Sequence, residues 1–245
     1  MDDHPGPSPE PRQRWRLVVA RTPDAPPLAQ REFADAWLAA IEAAGLPVAR
    51  SEGATARPRL SFGAPLPVGM AADGELIDVV ITERWPAWRV REALEPRLPD
   101  GWRLVRLEDV WLGGPPLAGR VAAADYRITL ALGAGSFDDA SPAPVGAKGL
   151  DAACVRMLAA KVLPRERAKG DRVVTYDLRP LLIHVAVRDP GPPPVLIART
   201  RFHPELGTGR PEEVVAALAN LVGAPLEVAS VVRVRLLLAD DLERA

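Results

Sequence analysis

The apolar spacing of this chain switches between strand-like alternation and helical steps in an order that occurs twice, and that repeat constrains the fold more than any single motif. Residues 15–20 read as a strand, and residues 23–27 as a loop broken by proline. Phe33, Trp37 and Ile41 then recur at four-residue steps, with Ala34 and Leu38 beside them. That spacing predicts a helix over residues 28–44, with Gly45 as its C-terminal cap. Residues 59–62 and 75–83 follow as strands. In the second of these Leu76, Asp78, Val80 and Thr82 alternate with Ile77, Val79 and Ile81. Pro86 stands where a first helical turn tolerates it, ahead of a short helix over residues 88–94, and residues 102–112 close the series as a strand.

After a Gly- and Pro-rich stretch at 113–117 the order starts again. Tyr126, Ile128, Leu130 and Leu132 alternate, and Leu150, Cys154, Met157, Leu158 and Val162 follow a helical stripe. Residues 173–187, broken near Leu178-Arg179-Pro180, and residues 195–202 supply strands. Val214, Val215, Leu218 and Leu221 form the next helix face, and Leu226, Val228, Val232, Val234 and Leu236 a last strand. The doubled β-α-β-β-α-β order predicts an α+β fold of two tandem ferredoxin-like units with antiparallel sheets. The first unit is expected over residues 14–112 and the second over 123–238, with a linker at 113–122. Residues 1–13 and 239–245 read as tails, the first of them polar, Pro-rich, disordered and unlike a secretory signal.

Charge limits what such a fold can bind. Lys+Arg 31 against Asp+Glu 32 leaves a formal net charge of -1, so any attraction to nucleic acid must come from a local patch. One cysteine excludes a disulfide framework, a cysteine-based zinc site or an iron–sulfur cluster within one chain. His4, His184 and His203 lack metal-ligand spacing, and no apolar run is long enough to cross a bilayer. The sequence therefore predicts no metal, no cofactor and no membrane partner, and a cytoplasmic location.

Arg165, Arg167, Lys169, Arg172 and Arg179 lie close together, interrupted by Glu166, Asp171 and Asp177. They read either as a phosphate-contacting patch for RNA, where arginine binds in a fork, or as a solvated hairpin with local ion pairs. Asp177 and Arg179 are expected to pair and fix the turn before Pro180. Gly207-Thr208-Gly209 reads as a structural turn, because Glu212 and Glu213 in the following first helical turn would repel an anion. Ser51, Glu52, Arg57 and Arg59 share a helix-to-strand loop and form a candidate site, the two arginines as anion contacts. His184 lies in an apolar strand and is expected to be a core histidine, Cys154 an inert buried thiol, and most tryptophans core residues.

Several of these segments carry a family resemblance. Ala44-Gly45-Leu46-Pro47, Ser51-Glu52-Gly53, Arg57-Pro58-Arg59-Leu60-Ser61-Phe62 and Pro65-Leu66-Pro67-Val68-Gly69 do so near the start. Gly74-Glu75-Leu76, Leu98-Pro99, Ala124-Asp125-Tyr126, Tyr176-Asp177-Leu178-Arg179-Pro180 and Gly209-Arg210-Pro211-Glu212-Glu213-Val214 continue it. Together they resemble the radical-SAM-linked family of domains of unknown function, over nearly the whole chain beyond the tail. That family commonly opens its first helix with Ser-His-Leu-Asp, where this chain has Ala29-Gln30-Arg31-Glu32, and Gly53-Ala54-Thr55 also departs from its pattern. A fainter likeness, through Leu98-Pro99, Val105, Val110, Ala124, Tyr126 and Ile128, is to tRNA pseudouridine synthases. Those enzymes require an Asp where residues 50–59 hold none.

The resemblance implies a non-catalytic accessory module that binds RNA or a radical SAM or RNA-processing partner. An RNA-modifying enzyme of pseudouridine-synthase-like architecture and a protein-interaction scaffold remain the alternatives, and no catalytic residue is assigned.

Overall fold

In the computed structural model residues 10–52, 56–131, 147–169 and 172–243 are described. His4, most of the N-terminal tail, Gly53-Ala54-Thr55 and the last two residues lie outside them. The chain divides into two compact units, Met1–Val121 and Ala122–Ala245. It is a mixed α/β protein built on antiparallel strand pairing.

The first unit runs β1 (Gln13–Arg21), α1 (Gln30–Ala43), β2 (Leu60–Phe62), β3 (Ala71–Ile81), α2 (Ala87–Leu94) and β4 (Trp102–Val110). Its strands lie in the order β4-β1-β3-β2. Alternation explains the core. Trp15, Leu17 and Val19 of β1, Ile77, Val79 and Ile81 of β3, and Trp102 and Leu104 of β4 meet Trp37 and Ile41 of α1 and Val90 and Leu94 of α2. The α1 start is held by Glu32, whose carboxylate accepts the Ala29 N–H at 2.8 Å. Its end is turned by Gly45, at φ +66, whose N–H reaches the Glu42 carbonyl at 2.9 Å. The β1–β4 register slips between Val18 and Val19, leaving Val105 as an extra residue on β4.

The opposite face of β1 is buried too, and it carries charge. Register sets Arg16 across from Asp78, with Arg14 on the diagonal. Asp78, only 2% exposed, accepts Arg14 Nε at 2.9 Å and Arg16 Nε at 2.8 Å. Arg14 also donates to the carbonyls of Gly114 and Pro115, which ties the stretch after β4 to this unit.

The second unit runs β5 (Val121–Leu130), α3 (Ala147–Ala159), β6 (Pro164–Lys169), β7 (Arg172–Asp177), β8 (Leu182–Asp189), β9 (Val195–His203), β10 (Gly207–Thr208), α4 (Pro211–Val222), β11 (Val228–Leu238) and α5 (Ala239–Leu242). The strand order is β11-β5-β9, with β8 and β10 both on the far side of β9. Leu150, Cys154 and Met157 of α3 and Val214, Val215 and Leu218 of α4 are buried, as are Leu182 and Val185 of β8 and Leu196 of β9. β6 and β7 form a separate two-stranded ribbon.

Two local expectations need correction. His184 is exposed rather than a core residue, because the β8 register slips between Leu182 and His184 and turns it outward while Val185 stays buried. Val162 falls beyond the end of α3 and is exposed. The tryptophans follow expectation for the most part: Trp15, Trp37, Trp85 and Trp102 are buried, while Trp88 and Trp111 are 66% and 78% exposed. No helix of the described residues is long and apolar enough to cross a membrane.

Candidate functional site

The loop between α1 and β2 is a small closed hairpin. The Ser51 N–H donates to the Arg57 carbonyl at 2.8 Å, and Ser51 Oγ accepts the Arg57 N–H at 3.0 Å. Ser51 therefore shapes the loop. Ser51, Glu52, Arg57 and Arg59 are all exposed. The guanidinium groups of Arg57 and Arg59 make no ion pair among the described residues.

The basic cluster divides. On β6, Arg165, Arg167 and Lys169 occupy alternate positions, opposite Tyr176, Val174 and Arg172 of β7. Arg165 Nε donates to Glu213 at 2.8 Å, which links the ribbon to the first turn of α4. The side chains of Arg167, Lys169 and Arg172 lie outside the described residues. Arg179 turns inward. Its guanidinium donates to the carbonyls of Leu158 at 2.9 Å, Ala160 at 3.1 Å and Leu182 at 2.8 Å. The first two belong to the end of α3, whose last carbonyls need partners. Asp177 fixes the same turn by accepting the N–H groups of Leu163 at 2.7 Å and Arg179 at 2.9 Å. The two residues thus secure the turn through backbone groups and not as a side-chain pair.

Gly207 to Gly209 is structural as well. Thr200 Oγ1 donates to the Gly209 carbonyl at 2.7 Å, and a Cβ at Gly209 would stand 2.8 Å from the Leu181 carbonyl.

Three groups that could do acid–base or nucleophilic work are otherwise engaged or buried. His203 Nδ1 accepts the N–H groups of Glu205 and Leu206 at 3.2 and 3.1 Å. Burial pushes the Cys154 thiol up to about 11, with Asp151 adding to the shift, so thiolate is scarce near neutrality. Asp125 accepts Arg199 Nε at 2.6 Å and Arg235 Nε at 2.7 Å. Burial alone would raise its carboxyl, but the two arginines outweigh that and hold it below the usual carboxylate range. Among the described residues no three His, Cys, Asp or Glu side chains group to hold a metal.

A pocket in the first unit is the feature that sequence reading misses. It encloses about 290 Å³ between α1, the segment after β2 and the start of β4, with Phe33, Phe62, Leu66 and Trp102 as apolar walls. Phe33 packs against Phe62 at 5.0 Å and against Trp102 at 5.1 Å between ring centroids. Gln30 and Arg21 are polar members of the lining. Arg21 is 5% exposed; its Nη1 donates to the Met70 carbonyl at 3.0 Å, and its Nη2 to the carbonyls of Ala25 and Pro26 at 2.7 and 3.0 Å. Two signals point here. Much of the run from Phe62 to Gly69 carries the family resemblance, and Gln30 stands where the Ser-His-Leu-Asp pattern has its histidine.

Over residues 14–232 the chain matches the model of a family described as an uncharacterized protein conserved in bacteria (DUF2344). No curated protein matches the chain.

Proposed function

The chain belongs to this bacterial family of uncharacterised proteins, and from its geometry we propose that it is a non-catalytic accessory module that binds structured RNA beside a radical SAM or RNA-processing enzyme. The observation that carries the reading is the β6–β7 ribbon, whose register sets Arg165, Arg167 and Lys169 at alternate positions with Arg172 across from Lys169. Alternate strand positions are about 6.8 Å apart, commensurate with successive phosphates of a nucleic-acid backbone. Exposed Arg57 and Arg59 add two cations on the first unit. Arg165 and Arg179 are engaged by Glu213 and by carbonyls, so the phosphate contacts are assigned to Arg57, Arg59, Arg167, Lys169 and Arg172.

The strand orders β4-β1-β3-β2 and β11-β5-β9-β8 support reading both halves as ferredoxin-like, the second with the ribbon inserted after α3. A cytoplasmic location accords with an RNA partner. The test is a gel-shift titration of the full chain with tRNA and rRNA fragments at low salt, alone and with a radical SAM protein of the same bacterium. A retarded complex is expected. No complex under either condition, or chemical labelling that finds isomerised uridines after incubation, would overturn the reading.

A further inference from the structure

The pocket of the first unit has a chemistry of its own, separate from the basic ribbon. Its walls are aromatic and aliphatic, and its volume is near the lower bound for small-molecule sites. Arg21, a cation almost entirely removed from water, is among the lining residues. Buried cations are ordinarily paired with a carboxylate. Here the guanidinium is held by the carbonyls of Met70, Ala25 and Pro26, and among the described residues no carboxylate forms an ion pair with it. Asp24 is near enough to favour the charged form but sits exposed, and burial is the larger influence on Arg21, lowering its pKa.

The carbonyls fix the guanidinium in place without neutralising it, which is the preorganised half of an anion site. A single charge of +1 is matched by a monoanion, whereas a phosphate dianion would bring a second negative charge into apolar walls. The tilted rings of Phe33, Phe62 and Trp102 suit a flat apolar body. We infer that the pocket is a binding site for a small aromatic monocarboxylate, its ring against Phe33, Phe62 and Trp102 and its carboxylate on Arg21.

The test titrates the full chain with 1-naphthoate, 1-naphthamide and inorganic phosphate, read by isothermal titration calorimetry. Naphthoate is expected to bind with a Kd of about 1 mM or tighter. The neutral amide should bind about tenfold more weakly, because it cannot satisfy the charge. Arg21→Gln should remove that preference. Since Arg21 also holds three carbonyls, a second variant, Ala34→Trp, fills the cavity from α1 and leaves Arg21 intact. It should abolish naphthoate binding, with an unchanged circular dichroism spectrum and unchanged RNA retardation. Equal affinity for acid and amide, phosphate binding as tightly as naphthoate, no heat up to saturating ligand, or full binding by Ala34→Trp would each overturn the inference. The RNA arm is read on the same preparations, so failure of the pocket leaves the RNA reading standing or falling by its own result.

Discussion

Arg179 illustrates how little a residue's type says about its work. Its Leu-Arg-Pro setting invites a binding role, yet the guanidinium closes the end of α3 onto the start of β8. Arg179→Ala leaves three carbonyls without that donor and is expected to lower the unfolding free energy by about 2 kcal/mol in urea titration. Arg57→Ala and Arg59→Ala, at exposed positions, should leave the same midpoint unmoved. Asp125 gives the pH dependence. Its carboxyl is depressed in the folded state, so its contribution is present above the unfolded value of about 3.9 and is lost as pH falls through the lower folded value. Asp125→Asn should therefore be less stable than the parent at pH 7, and the gap should close below about pH 4 in thermal melts.

At the same scale, sequence reading places Cys154 correctly on a buried helix stripe and misplaces His184. The first rests on helical periodicity. The second depends on a one-residue slip in β8 that no periodicity signals. The Arg14–Asp78–Arg16 cluster escapes for a related reason: Asp78 is about sixty positions from the two arginines, and only the β1–β3 register brings them together.

Among elements, those with a regular apolar period are legible. Phe33, Trp37 and Ile41 mark α1, and the alternation through Ile77, Val79 and Ile81 marks β3. β6 is unmarked, because the sequence Pro-Arg-Glu-Arg-Ala-Lys carries no apolar alternation. The pocket escapes for another reason. Its walls come from α1, the coil after β2 and the start of β4, and cavities arise from how elements fail to fill space. The turn before β4 offers a sharp test. Gly101 adopts φ +74, and a Cβ there would stand 2.3 Å from the Ala25 Cβ. Gly101→Ala combines left-handed strain with overlap and should cost about 2 kcal/mol, read as a lowered Tm, with loss of pocket binding if the Ala25 carbonyl leaves Arg21.

For the whole molecule, the sequence carries the element order of the first unit, part of that of the second, and the bacterial family, and each half folds as a compact unit. Function rests on where charge is left unspent. With a formal net charge of -1, the chain has no overall attraction for RNA, so binding must run through a few cations and weaken steeply with salt. The most direct measurement is the salt dependence of RNA affinity by fluorescence anisotropy, for the parent chain and for a variant with Arg57, Arg59, Arg167, Lys169 and Arg172 all changed to Ala. Every phosphate deprived of its cation should reduce the slope of log K against log salt by about 0.7–0.9, so the fivefold variant should show little of the parent's dependence with its fold intact by circular dichroism. A parent chain that binds RNA with the same slope and affinity as the variant would contradict the account.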